Sequence, residues 1–100
     1  MIQFKKSKHF LEWLDSLRSK PARARVLARL DHAQWGNFGD CEALGNGVFE
    51  MRIHYGPGYR VYFTRRGEVV YLLLIGGDKS TQKRDIQRAK QIAEDFEEKE

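Results

Sequence analysis

Between positions 50 and 64 the chain carries Glu50, Arg52 and His54 at every second residue, then Arg60, Tyr62 and Thr64 with the same spacing. A guanidinium donates two parallel hydrogen bonds to a phosphate, an imidazole gives or takes a proton near neutral pH, and a phenol ring stacks on a base. Two Arg, one His and two Tyr (Tyr55 at the tip, Tyr62 on the face) thus suit phosphate binding, proton transfer and base stacking together. The same alternation also describes the solvated side of an ordinary sheet, and the pattern alone does not separate the two.

A second segment able to hold an anion is Gly76-Gly77-Asp78-Lys79-Ser80-Thr81. Its glycines would let backbone N–H groups approach a ligand, and the helix that follows favours negative charge at its start. The spacing of a phosphate-binding P-loop is absent. Read blandly, residues 78–81 are a helix cap.

Position decides whether these side chains meet. Side chains alternate faces along a strand, and the apolar period changes from helical to alternating after residue 47. Residues 48–54, 58–65 and 69–75 read as three consecutive strands joined by Gly56-Pro57-Gly58 and Arg66-Gly67, both with hairpin chemistry. If the three-residue loop pairs Tyr55 with Tyr59, His54 lies opposite Arg60, Arg52 opposite Tyr62 and Glu50 opposite Thr64. Phe49, Met51, Ile53, Val61 and Phe63 then share the other face. The two arginines would repel each other unless an anion lay between them, Glu50 in the free protein and a phosphate in function. The third strand is apolar almost throughout, which predicts a central place with both faces covered.

Upstream, Ile2 and Phe4 alternate with polar neighbours as a short strand, and Ser7 is the N-cap of the helix after it. Phe10, Leu11, Leu14 and Leu17, then Ala22, Val26, Leu30 and Ala33 behind Pro21, make a helical hairpin over residues 8–35. Residues 41–47 read as a loop. Ser80 or Thr81 caps a last helix with Ile86, Ala89, Ile92, Ala93 and Phe96 along one side. The order β-α-α-β-β-β-α predicts one α+β domain over residues 1–100, helices against a mostly antiparallel four-stranded sheet.

Composition narrows the setting. The hydrophobic fraction is 41% and the charged fraction 32%, as in a globular protein that folds without staples. Residues 1–8 have no apolar core of a signal peptide, and the apolar run 69–75 is far short of the roughly 20 residues a membrane span needs. Cys41 is alone, so no internal disulfide forms, which fits a reducing, cytoplasmic setting. It sits in a predicted loop with no His nearby in sequence and reads as inert. His9, His32 and His54 lack ligand spacing, so no metal or cofactor is expected. Trp13 and Trp35 read as packing residues. The net charge is +4, concentrated in Arg18, Lys20, Arg23, Arg25 and Arg29 and in Lys79, Lys83, Arg84, Arg88 and Lys90. Such a body suits a polyanion or an acidic partner, with a merely solvated surface as the plain alternative. Residues 94–100 are acidic and would solvate the end of the last helix or fold back on a basic site.

Two segments carry a family resemblance. Residues 50–63, EMRIHYGPGYRVYF, and 72–82, LLLIGGDKSTQ, resemble the signatures of RelE-type addiction-module killer proteins, the small phage Gp49-like or HigB-like members of the RelE/ParE superfamily. The likeness extends to PARARVLARLD and DIQRAK in the helices. It implies a compact sheet with an N-terminal helical hairpin, a toxin of a type II toxin-antitoxin system, and an antitoxin encoded beside it, often a helix-turn-helix protein, giving a hetero-oligomer. It also implies metal-independent cleavage of mRNA in the ribosomal A site, the 2′-hydroxyl attacking phosphorus to leave a 2′,3′-cyclic phosphate. By position Arg60 matches the phosphate-binding arginine, Lys79 lies in a loop of further basic catalytic residues, and Arg52 and His54 lie on a strand with basic active-site residues. Relatives of the RelE type place a catalytic tyrosine near the C-terminus, whereas the last tyrosine here is Tyr71. That makes His54 the candidate proton carrier, with Arg60 and Lys79 stabilising the phosphorane. Arg52, Tyr55 and Tyr62, with Lys83, Arg84, Arg25 and Arg29, would hold the RNA. Two alternatives share the fold: a ParE-like gyrase inhibitor without nuclease activity, and an inactive RNA-binding member.

Overall fold

The computed structural model describes residues 1–99, with side chains through Phe96, so the side chains of the acidic end from position 97 lie outside the described residues. The elements are β1 (Gln3–Lys6), α1 (Lys8–Ser16), α2 (Lys20–Gln34), β2 (Cys41–Gly45), β3 (Val48–Ile53), β4 (Tyr59–Arg65), β5 (Val70–Asp78), a 3-10 turn (Lys79–Thr81) and α3 (Gln82–Lys99). They form an α+β structure with a five-stranded mixed sheet in the order β1-β5-β4-β3-β2. No helix is long and apolar enough to cross a membrane among the described residues.

This corrects the four-stranded, mostly antiparallel expectation at both edges. β1 runs parallel to β5, Gln3 against Val70 through Lys6 against Leu73. β2, expected as a loop, pairs antiparallel with β3 through Cys41–Met51 and Glu42–Glu50. Its sequence, CEALG, has only one β-branched or large apolar neighbour to announce it, and the exposure of Glu42 and Ala43 marks it as an edge strand. β5 is an interior strand between β1 and β4 with α1 on one face and α3 on the other, as its apolar run predicts, while β4 holds the middle position of the five.

Both helices of the hairpin start as the sequence predicts. The Ser7 side chain accepts from Phe10 N and donates to the Leu74 carbonyl at 2.6 Å, tying the start of α1 to β5. Ser19 accepts from Ala22 N ahead of Pro21, which sits in the first turn of α2. Phe10, Leu14, Val26, Leu30 and Ala33 pack on Met51, Ile53, Val61, Phe63 and Leu73. Burying a side chain such as Phe10, 0% exposed, stabilises the fold by about 2 kcal/mol. Phe63 centres an aromatic stack, 5.3 Å from Phe38 and 5.4 Å from Phe49. On the opposite face α3 lays Ala89, Ile92 and Ala93 over Val48, Tyr62, Leu72 and Leu74. Trp35 departs from its expected packing role, 71% exposed beyond the end of α2.

Gly76 and Gly77 are strand residues, paired with Val61 and Arg60. They are buried, and what they admit is close packing. A Cβ on Gly76 would sit 2.1 Å from the Trp13 ring, and one on Gly77 would sit 1.9 Å from Asp85 Oδ2. The expectation that they open the backbone to a ligand is therefore replaced by packing against α1 on one face and α3 on the other. Gly76→Ala is expected to lower stability by about 2 kcal/mol in urea unfolding. Adding Trp13→Ala should recover part of that loss in a double-mutant cycle; additive losses would show that the ring is not what excludes the methyl.

Candidate functional site

The pairing of β3 with β4 sets the site, and its register differs from the predicted one. Glu50 lies opposite Tyr62, Arg52 opposite Arg60, and Val48 opposite Thr64. The connection is two residues longer than expected on the β3 side, because β3 ends at Ile53 and β4 begins at Tyr59. A shift of two on one strand preserves the faces, so Glu50, Arg52, Arg60, Tyr62 and Thr64 still share one. Only His54 leaves the ladder and opens the turn.

Arg52 and Arg60 thus stand directly across from each other. Two unit charges about 5 Å apart repel by ~3 kcal/mol at an effective dielectric of about 20. The counter-charge is Glu50, 0% exposed beneath α3. Its carboxylate accepts from Arg52 Nε at 2.9 Å and from Gln82 Nε2 of α3 at 3.0 Å, and lies 3.7 Å from Arg60 Nε. Burial pushes the Glu50 carboxyl up, but the hydrogen bonds and the Arg52 charge outweigh it and hold the group below the ordinary carboxylate range. Arg52 also pairs with Glu42 on β2. Arg60 donates to the Gly58 carbonyl at 2.8 Å, and its side chain is 12% exposed.

Tyr62 fills the space beside Glu50, and its ring is fully buried. It presents no face to a base, so the stacking role expected of it gives way to packing under α3. Burial and then the Glu50 charge push its phenol far above the ordinary value, so it stays protonated.

The turn brings the other candidates to the rim. His54 is exposed, and its Nε2 meets Asp40 Oδ2 at 2.6 Å. That bond, with Arg52 and Arg29 nearby, holds the Asp40 carboxyl below its usual range. Asp40 precedes β2, and the sequence carries no signal for it because CEALG has too little β-propensity to predict the strand that delivers it. A Cβ on Gly58, a residue at φ +80°, would meet Arg60 Nη1 at 3.3 Å and Lys79 Cβ at 3.6 Å, so Lys79 and Arg60 converge there. Lys83 and Arg84 follow, exposed, in the first turn of α3, and with Lys79 they line a groove of about 450 Å³.

The residues of α2 divide. Arg29 donates to the carbonyls of Arg52 at 2.5 Å and Phe38 at 2.8 Å, so its guanidinium binds backbone and fixes the segment that carries Asp40. This replaces its expected role on RNA. Arg25 lies over the Tyr55 ring at 4.6 Å, occupying one face of that ring. Cys41 is half-buried, and burial pushes its thiol up, away from the thiolate. Three or more His, Cys, Asp or Glu side chains do not gather as a metal site among the described residues.

The family described as Phage derived protein Gp49-like (DUF891) matches residues 12–96. An uncharacterised protein of Haemophilus influenzae is 46% identical over 95 residues, covering 95% of this chain and 96% of the relative.

Because the folded-state pKa of Glu50 is lowered, its charge contributes stability above the unfolded value near 4.3 and loses it as pH falls through the folded value. Glu50→Gln should lose about 3 kcal/mol at neutral pH and show a flatter acid limb in urea unfolding. Parallel acid limbs in both proteins would remove Glu50 as the source.

Proposed function

Because the chain belongs to the phage-derived Gp49-like family, related to RelE- and HigB-type toxins, we propose that it is a toxin that cleaves RNA at the Arg52–Arg60 face. The observation that carries this reading is the cross-strand arginine pair with Lys79 and His54 at its rim. Two guanidiniums held side by side offer donors to the oxygens of one phosphodiester, and the substrate would compete with Glu42 and Glu50 for them.

In the proposed reaction the 2′-hydroxyl oxygen attacks the adjacent phosphorus, the bond to the 5′-oxygen breaks, and a 2′,3′-cyclic phosphate remains. One proton leaves the 2′-hydroxyl and one reaches the departing 5′-oxygen. The His54 imidazole is the group that can carry either, with Nε2 held by Asp40 and Nδ1 left for the substrate. Arg60 and Lys79 stabilise the extra charge on the phosphorane. Arg52 positions the backbone, and Arg25, Lys83 and Arg84 supply cations beyond the scissile group. The substrate is mRNA on the ribosome, and the partner is a neutralising antitoxin protein.

Arg60→Ala is expected to abolish growth arrest while circular dichroism shows a folded protein. Primer extension after induction should reveal translation-dependent cuts inside coding regions with the parent and none with the variant. Growth arrest by the parent with intact mRNA would overturn the nuclease reading and turn attention to DNA gyrase.

A further inference from the structure

A groove of about 510 Å³ lies between α1 and α3 beside the arginine face, with Arg84 lining both it and the Lys79 groove. Its lining includes Trp13 from α1, Gly77 and Asp78 at the end of β5, and Arg84, Asp85 and Arg88 from α3. It adjoins the candidate site through Gly77 and Asp78, the register partners of Arg60 and Tyr59. At the α1 side Arg88 meets His9 Nδ1 at 3.4 Å, linking the two walls.

The chemistry of the lining is specific. Arg84 and Arg88 are exposed cations four residues apart on one helix, which places them on the same face about 6 Å apart along its axis. Trp13 supplies an apolar wall, held because Gly76 has no side chain beneath the indole. Asp85 is 4% exposed and only loosely paired with a cation. Oδ2 accepts from the Thr81 hydroxyl at 2.5 Å, while the nearest cation to Oδ1 is Arg84 Nε at 3.9 Å. At 3.9 Å that ion pair leaves Oδ1 with lone pairs for a donor that enters the groove. Two cations for a phosphate, an apolar wall for a ring and one recessed acceptor together describe a nucleotide.

We infer that this groove is a nucleotide subsite whose Asp85 selects a base bearing an exocyclic amino group, cytosine or adenine, over uracil. A carboxylate accepts from the N4 amino group of cytosine, whereas uracil presents an acceptor at the same position and meets Asp85 with repulsion. Arg84 and Arg88 hold the phosphate regardless of the base. The inference rests on the RNA reading above for its biological substrate, but its test does not need cleavage.

Trp13 is the reporter. In a Trp35→Phe background it is the sole tryptophan, and Trp35 is exposed enough to be replaced without loss of packing. Titration with cytidine monophosphate should shift Trp13 fluorescence and saturate, with uridine monophosphate binding about tenfold more weakly. Asp85→Asn should erase the preference, and Arg84→Ala with Arg88→Ala should weaken both nucleotides while keeping their ratio. Because Asp85 also packs on Gly77, the arginine variant, altered only at exposed positions, secures the result if Asp85→Asn fails to fold. No response of Trp13 to either nucleotide, equal affinity for the two, or equal competition by inorganic phosphate alone would overturn the subsite. An RNA-cleaving protein with a silent Trp13 keeps the nuclease and loses the subsite; an inactive one that prefers cytidine monophosphate does the reverse.

Discussion

One buried carboxylate organises the functional half of the protein. Glu50 is fully enclosed between the sheet and α3, where an unpaired charge would be prohibitively unfavourable. It persists as an anion because Arg52 and Gln82 donate to it and Arg60 lies alongside. Through those partners it connects β3, β4 and α3, and through Arg52 it reaches Glu42 on β2. The same contacts allow two arginines to stand side by side on neighbouring strands. Without that anion the pair would splay or the register would change.

The two faces of the sheet do different work. Toward α1 and α2 the face is apolar and aromatic, closed around Phe10, Val61 and Phe63. Toward α3 it is divided: Val48, Tyr62, Leu72 and Leu74 are covered, while Arg52 and the turn beyond it stay accessible. The division follows from where α3 begins. Asp78 caps the 3-10 turn by accepting from Ser80 N at 2.8 Å, and Gln82 and Asp85 come down on Glu50 and Gly77 immediately after. A helix entering one turn earlier would cover the arginines; one turn later would leave Glu50 open to water.

Cations on the surface are not equivalent. Arg29 uses its donors on backbone carbonyls and so acts by fixing the segment at Asp40, which in turn holds His54. Arg84 and Arg88 make only long contacts and remain available to an anion. Counting positive residues along the chain cannot distinguish these cases, since the partners that occupy Arg29 lie 9 and 23 positions away.

Local pattern is enough to read the helices with the cap at Ser7 and Pro21 in the first turn of α2, the three-strand run from position 48, and the sharing of one face by Glu50, Arg52, Arg60, Tyr62 and Thr64. Each depends on neighbours in sequence or on the period-two alternation, which survives a register shift of two. The motifs of residues 50–63 and 72–82 carried the family likeness for the same reason: they are contiguous. Contacts between distant segments were decided by the tertiary structure alone. These are the parallel partnership of β1 with β5, the edge strand β2 and with it Asp40, the exact Arg52–Arg60 opposition, and the burial of Tyr62. A carboxylate in the sequence is only a charge; whether it is solvated, as at Glu42, or enclosed, as at Glu50, depends on which helix lands on it, and that is a property of the assembled layers.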